Sequence, residues 1–131
     1  MVDVNFLKKV NDTYGHKAGD TYIKGCCGIV TDIFDESSIF RIGGDEFVVL
    51  LTGEAYKERN ERFEKIKRSF ASAYGNEELD PWYRYSASAG MSEYTPEDET
   101  AEVVFKRADK NMYEAKVKFK KDHGIPVNSR M

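Results

Sequence analysis

Residues 41–51 read RIGGDEFVVLL, and apolar runs lie on both sides of the central letters GGDE. Glycine pairs between apolar runs are typical of a β-hairpin, and here they predict a tight primed turn with positive φ at both glycines. The turn does not explain why Asp45 and Glu46 follow at once, because adjacent carboxylates repel each other. The acidic pair is therefore either a solvated turn or part of a site that holds a metal.

The rest of the chain predicts a single α+β domain in which helices cover a mostly antiparallel sheet. The 131 residues suit one core, with a polar tail from about residue 121. Periodicity and breaker residues predict, in order, a strand at 1–4, a helix at 5–12, a loop at 14–20, a helix at 21–34 with Asp20 as its N-cap, the hairpin, a helix at 54–74, a strand at 83–94 and a helix at 100–120. A hairpin embedded among helices indicates this architecture rather than a doubly wound parallel sheet.

The composition excludes several classes of protein. A hydrophobic content of 40% and a charged content of 33% are ordinary for a globular chain, and the net charge of −3 argues against a nucleic-acid or membrane-surface binder. No run approaches the roughly 18 apolar residues of a membrane span, and the first residues lack the features of a signal peptide. Cys26 and Cys27 are adjacent and alone, which indicates reduced thiols and a cytoplasmic domain.

Two carboxylates lie at the ends of predicted strands. Asp3 ends the first strand, and Asp45 lies at the tip of the hairpin. If the two strands are neighbours, the carboxylates converge from opposite chain directions. Together with a backbone carbonyl they form a set of oxygen ligands that suits Mg²⁺ and leaves positions open for phosphate. The alternative is that both are independent surface residues.

The last predicted helix carries a row of residues, at four-residue spacing, that changes from apolar to cationic. The row consists of Ala108, Met112, Lys116 and Lys120, which share one face. Lysines near the end of a helix often stay solvated and complement the helix dipole. Lys116 continues a core-facing row, however, and a cation held against the sheet suits a polyphosphate. Both interpretations stay open on the residues alone.

Asn11 and Asp20 flank the predicted glycine loop and carry groups that can read a guanine base. A carboxylate accepts hydrogen bonds from N1–H and the N2 amine, and an amide meets O6 or N3. Adenine lacks that pair of donors. The alternative is that Asn11 is a turn residue and Asp20 an N-cap.

Three blocks of the chain carry a family resemblance. They read Asp3-Val4-Asn5, Leu7-Lys8, Val10-Asn11-Asp12, Tyr14-Gly15-His16 and Gly19-Asp20, then Arg41 to Phe47, then Ala108-Asp109, Met112-Tyr113 and Ala115-Lys116. In this order and at these separations, they resemble the GGDEF domain of bacterial diguanylate cyclases. The resemblance extends from Asp3 to about Lys120.

This resemblance implies a fold like that of nucleotide cyclases and the polymerase palm, with a central, mostly antiparallel sheet wrapped by helices. It implies the condensation of two GTP molecules to cyclic di-GMP with release of two pyrophosphates. Asp3, the backbone carbonyl of Val4 and Asp45 are implied to bind two Mg²⁺ or Mn²⁺ ions, which stabilise the attacking 3′-oxygen and the leaving pyrophosphate oxygen. Asp45 or Glu46 is implied to help deprotonate the 3′-hydroxyl.

The resemblance also implies which residues contact the nucleotide. Asn11 and Asp20 match the positions that bind guanine in the family. Lys8, Lys116 and Lys120 match the positions that bind the phosphates. Lys120 follows Phe119 where the family usually has Gly-Arg, so it keeps the charge but loses the bidentate guanidinium. The small residues Gly43 and Gly44 let a nucleotide and its metals approach the backbone.

The implied partners are GTP, a second copy of the domain and an upstream sensory domain, with no nucleic acid and no membrane contact. The family often has Arg-x-x-Asp before the hairpin, whereas this chain reads Phe34-Asp35-Glu36-Ser37, so we expect no product inhibition there. The family also usually has a helix and most of a strand before Asp3, so we expect this chain to be a fragment, mostly monomeric by itself. The alternative function is a degenerate module that binds GTP or cyclic di-GMP without turnover.

Overall fold

The computed structural model describes residues 1–129 and 131. Its regular elements are β1 (Val2–Val4), α1 (Leu7–Tyr14), α2 (His16–Ile33), β2 (Ile39–Arg41), β3 (Glu46–Val49), α3 (Gly53–Lys57), α4 (Arg59–Gly75), β4 (Ala87–Ala89) and α5 (Ala101–Asp122), with short 3₁₀ turns at Glu36–Ser38 and Pro81–Tyr83. Within this described part, none of the helices has the length and apolar character needed to span a membrane.

The four strands form one antiparallel sheet in the order β2-β3-β1-β4. The central strand β1 pairs with both β3 and β4, so Asp3 lies opposite Glu46 on one side and opposite Ser88 on the other. Side chains alternate along a strand, and Val2 and Val4 are buried in the core while Asp3 points to the opposite face. The sheet and its helices confirm the predicted α+β fold with a central antiparallel sheet.

The main core lies on the face of the sheet that carries Val2 and Val4, where α2 and α4 contribute buried apolar side chains. Its largest fully buried side chain is Tyr22. The Tyr22 hydroxyl donates to the Asn5 carbonyl at 2.7 Å and accepts from the Ser86 backbone N–H at 3.0 Å. One α2 side chain thus fixes the end of β1 and the approach to β4.

Helix α5 packs on the other face of the sheet, close against the end of β4. A Cβ placed on Gly90 would lie 2.1 Å from the Met112 nitrogen and 2.5 Å from the Ala108 carbonyl oxygen, so only glycine allows this approach. Ala108 and Met112 are buried there, which confirms that their row faces the sheet. The next member of the row, Lys116, lies over β1.

The hairpin prediction is right for the strands and wrong for the turn. Strands β2 and β3 pair in register, but four residues, 42–45, connect them, and the Ile42 N–H donates to the Glu46 carbonyl at 3.0 Å. Among the described residues, positive φ occurs at Phe6, Gly15, Gly53 and Gly124 and at neither hairpin glycine. The longer loop makes the turn without left-handed residues.

Three other element boundaries differ from the sequence prediction. The predicted loop at 14–20 shrinks to Gly15, whose φ of 92° separates α1 from α2. Asp20 therefore lies inside α2, and its assignment as an N-cap is wrong. The predicted helix at 54–74 is two helices that meet at Glu58. The predicted strand at 83–94 keeps only three residues in the ladder, because β1 offers only three partners.

Candidate functional site

The carboxylates of Asp3 and Asp45 are carried by neighbouring segments of the sheet. The Val4 N–H donates to the Asp45 carbonyl at 2.7 Å, directly after the ladder pair of Asp3 and Glu46. Strand β1 and the hairpin loop therefore meet as the sequence analysis expected, from opposite chain directions. We call the group of Asp3, Asp45, Glu46 and Asp109 the acidic edge.

Repulsion and burial change the acidity of this edge. Burial raises the pKa of Asp3, and Asp45 and Asp109 add to the increase while Lys116 opposes it. Burial also raises the pKa of Glu46, and the charges of Asp3 and Asp45 increase it further. The protein concentrates more negative charge here than its own cations offset.

Among the described residues of α5, Lys116 alone donates an ammonium hydrogen bond to the acidic edge. The acceptor is Oδ2 of Asp3. The two side chains are only 20% and 13% exposed, respectively. Of the two interpretations that the sequence left open, the structure favours a lysine held against the sheet over a solvated one. Its partner here is a carboxylate, and its phosphate contact stays a prediction.

The acidic edge fits a divalent cation of the hard, oxygen-binding kind. Asp3 and Asp45 would supply carboxylate oxygens, and the Val4 carbonyl belongs to the residue whose N–H bonds to Asp45. No group of three or more His, Cys, Asp or Glu side chains in the described part is arranged to hold a metal ion by itself. An incomplete set suits Mg²⁺, which keeps several waters or phosphate oxygens as ligands. Lys116 supplies positive charge to the carboxylate of Asp3.

Asn11 and Asp20 come together on the packed pair α1 and α2. A Cβ on Gly19 would lie 1.6 Å from Oδ1 of Asn11, so the Asn11 amide rests on the backbone directly before Asp20. Asp20 is exposed inside α2 and makes no capping bond. The structure therefore removes the capping explanation for Asp20, and the guanine contact stays a prediction.

The other two predicted phosphate ligands have protein partners. Lys8 pairs with Asp12 at 2.6 Å on the exposed side of α1. Lys120 is only 8% exposed, and its amine donates to the carbonyls of Val127 at 3.1 Å and Ser129 at 2.6 Å. In this arrangement Lys120 holds the carboxyl-terminal segment, a contact that helical periodicity does not signal.

Sequence reasoning missed two features that support the edge. Arg41 donates from its guanidinium to the carbonyls of Gly43 and Gly44, so it braces the hairpin loop. Asn5 is fully buried, and its amide donates to the hydroxyls of Ser86 at 3.1 Å and Ser88 at 3.3 Å. Arg41 lies within the second matching block, whereas the contacts of Asn5 join distant segments and leave no local pattern.

A separate apolar cavity of about 370 Å³ lies at the amino end of β1. Its walls include Val49, Leu51, Phe63, Met91 and Val104. None of the predicted site residues lines it. Its walls are mainly apolar, so it is unsuited to a polyphosphate.

Comparisons with known proteins agree on one family. The family model for the diguanylate cyclase GGDEF domain matches residues 1–122. The chain is 32% identical over 120 residues to diguanylate cyclase A of Treponema denticola, covering 88% of this chain and 31% of that protein. It is 35% identical over 119 residues to diguanylate cyclase DgcS of Shewanella oneidensis, covering 88% of this chain and 38% of that protein.

A solved structure has the same fold. The GGDEF domain of DgcB from Caulobacter crescentus, in complex with c-di-GMP, matches with a TM-score of 0.70 and 25% identity. The match covers 95% of this chain and 71% of that chain. The two curated relatives are much longer, and this chain spans less than half of either.

Proposed function

The chain belongs to the GGDEF domain family, and from that membership we propose that it is the catalytic domain of a diguanylate cyclase. It would condense two GTP molecules to cyclic di-GMP and release two pyrophosphates. The observation that carries the proposal is the meeting of β1, which carries Asp3, with the hairpin loop, which carries Asp45, while Lys116 bonds to Asp3. This arrangement combines oxygen ligands with a cation at one edge, as nucleotidyl transfer requires.

We assign the metal ligands to Asp3, Asp45 and the Val4 carbonyl. Two Mg²⁺ or Mn²⁺ ions held there would offset the triphosphate charge and stabilise the attacking and leaving oxygens. Glu46 would accept the proton of the 3′-hydroxyl, and its raised pKa brings it closer to the range that suits a general base near neutral pH. Lys116 and Lys8 would orient the phosphates.

The guanine base would lie against α1 and α2. Asp20 would accept hydrogen bonds from N1–H and the N2 amine, and the Asn11 amide would meet O6 or N3. The exposure of Asp20 and the fixed position of Asn11 over Gly19 support this assignment. A site that accepts hydrogen bonds from these two guanine donors favours guanine, because adenine lacks the N1–H and the N2 amine.

A degenerate module that binds GTP or cyclic di-GMP without turnover is the second candidate. Lys120 favours it, since this residue stands where the family usually has Arg and its amine is occupied by the Val127 and Ser129 carbonyls. In both cases the domain would act in the cytoplasm within a longer signalling protein.

The first prediction separates these two functions. The chain, fused to a dimerising coiled coil, is incubated with GTP and Mg²⁺, and the products are identified by mass spectrometry. We expect cyclic di-GMP, and we expect Asp45→Ala to lower its formation by at least about a hundredfold, as for the loss of one preorganised electrostatic group.

The matched control is Asp32→Ala, which removes an exposed carboxylate from α2 and should leave the rate unchanged. GTP binding without product would favour the degenerate module. Full activity of Asp45→Ala would contradict the metal assignment.

A further inference from the structure

The ion pair of Lys116 and Asp3 joins the last helix to the first strand. The two residues are 113 positions apart, and both side chains are largely buried. The close contact of α5 with Gly90 fixes the helix one turn before Lys116. The ion pair is therefore a tertiary contact that the packing of α5 on the sheet holds in place.

The other lysine pairs of α5 are of a different kind. Lys118 pairs with Asp122 and Lys106 with Glu102, each within the helix at four-residue spacing. These side chains are 54% to 78% exposed, so solvent screens their charges. Removing one partner of a buried pair costs far more, because the other charge stays buried without a counter-ion.

The ammonium of Lys116 and a divalent cation would compete for the same carboxylate. Asp3 is the ligand that the proposed function assigns to the metal, and in this structure its Oδ2 already accepts from Lys116. Two cations on one carboxylate repel each other at such short range. The surrounding carboxylates of Asp45 and Asp109 still favour added positive charge.

We infer that Lys116 is a positioning residue that regulates metal loading at Asp3. It serves as the counter-cation of Asp3 before metal binds, and it turns to the nucleotide phosphates when a divalent cation takes its place. This inference rests on the metal assignment in the proposed function. Metal and nucleotide then favour each other's binding, because each releases a group that the other needs.

The second prediction measures Mn²⁺ binding without nucleotide, by electron paramagnetic resonance of free Mn²⁺ at pH 8. We expect Lys116→Met to bind Mn²⁺ at least about fivefold more tightly than the original chain, the lower end of typical coupling between sites. Lys118→Met removes the same charge from the same helix without touching Asp3, and its affinity should not change. Asp3→Asn should abolish the binding and so locate it.

A second measurement guards against a folding defect. Circular dichroism checks the fold, and Lys116→Gln replaces Lys116→Met if the latter does not fold. Urea unfolding should show that the Lys116 variant is less stable than the original chain without Mn²⁺. When Mn²⁺ is added, the variant should gain more stability than the original chain does. A purely structural role of Lys116 would lower stability equally with and without the metal.

The outcomes separate the two hypotheses. Equal or weaker Mn²⁺ binding by the Lys116 variants overturns the regulatory role, and loss of binding in Asp3→Asn then leaves the metal assignment intact. If no form binds Mn²⁺, both the regulatory role and the metal assignment are overturned.

Discussion

Asp3 and Glu46 face each other across adjacent strands, an arrangement that costs stability. Like charges directly opposite in an antiparallel pair repel, and burial strengthens the effect here. Proteins accept such costs where a site needs concentrated charge, so active residues are often replaced with a gain in stability. Glu46 is the clearest case in this chain, since it is both a predicted catalytic group and half of a repelling pair.

The third prediction concerns Glu46→Gln and the pH dependence of stability. The pKa of Glu46 in the folded chain is raised above its ordinary value of 4.5, so the folded chain binds this proton more tightly than the unfolded chain does. The stability that protonated Glu46 contributes is therefore lost as pH rises through the folded pKa. We expect Glu46→Gln to increase the free energy of unfolding by about 0.2–1 kcal/mol at pH 8, the range for one cross-strand pair. The gain should shrink as pH falls below the ordinary value, because Glu46 is then protonated in both the folded and the unfolded chain.

Urea unfolding at several pH values tests this expectation. Glu97→Gln is the matched control, because Glu97 is exposed and outside the acidic edge. A gain that is equal at low and high pH would contradict the electrostatic explanation.

The pair α1 and α2 shows how one glycine can set a recognition geometry. Gly19 lies beneath the Asn11 amide, which leaves no room for a methyl group while that amide keeps its position, whereas a methyl group added to Gly28 of the same helix would meet nothing within 4 Å. A helix interior otherwise favours alanine over glycine by up to about 1 kcal/mol. Gly19 is therefore explained by the position of Asn11 and not by the stability of the helix.

The fourth prediction follows from this contact. In Gly19→Ala the new methyl group must turn the Asn11 amide away, so we expect GTP affinity to fall about tenfold, the loss of roughly one hydrogen bond of 1.4 kcal/mol. Stability should stay equal or rise, because the atom that must move ends a flexible side chain. Calorimetric titration with GTP and urea unfolding give the two readings.

Gly28→Ala is the control for the helix itself, and it should leave GTP affinity unchanged. An unchanged affinity of Gly19→Ala would contradict the guanine assignment of Asn11.

Local patterns predicted the elements better than their ends. The four-residue spacing of Ala108, Met112 and Lys116 correctly placed one face of α5 on the sheet, because a helix repeats its environment every turn. The N-cap assignment of Asp20 failed because Gly15 alone breaks the chain between the two helices. A single residue of positive φ ends a helix without the longer loop that the two glycines of residues 14–20 suggested.

Contacts between distant segments could not be predicted from spacing. The family blocks brought Asp3, Asp45 and Lys116 into one hypothesis, and the structure brings these three together. Lys120 followed the same row, but its amine meets carbonyls beyond the end of α5. Helical periodicity indicates which side of the helix a residue lies on, but it does not indicate which group the residue contacts there.

The fifth prediction concerns assembly. Each domain would hold one GTP, so the reaction needs two copies face to face. We expect light scattering with a GTP analogue to show mostly monomer, and the rate of cyclic di-GMP formation per domain to rise with protein concentration. Fusion to a coiled coil should remove that dependence, because it raises the effective concentration of the second copy. A stable dimer of the unfused chain, with a rate independent of concentration, would contradict the prediction.

The ion pair of Asp3 and Lys116 has a consequence for synthesis on the ribosome. Asp3 emerges well before Lys116, which follows 113 positions later. The central strand β1 can pair first with β3, but its second partner β4 is complete only at Ala89, and the counter-cation of Asp3 follows only at Lys116. Such long-range closure is slow compared with the formation of helices. A nascent chain that ends before Lys116 therefore leaves the buried carboxylate of Asp3 without its counter-cation.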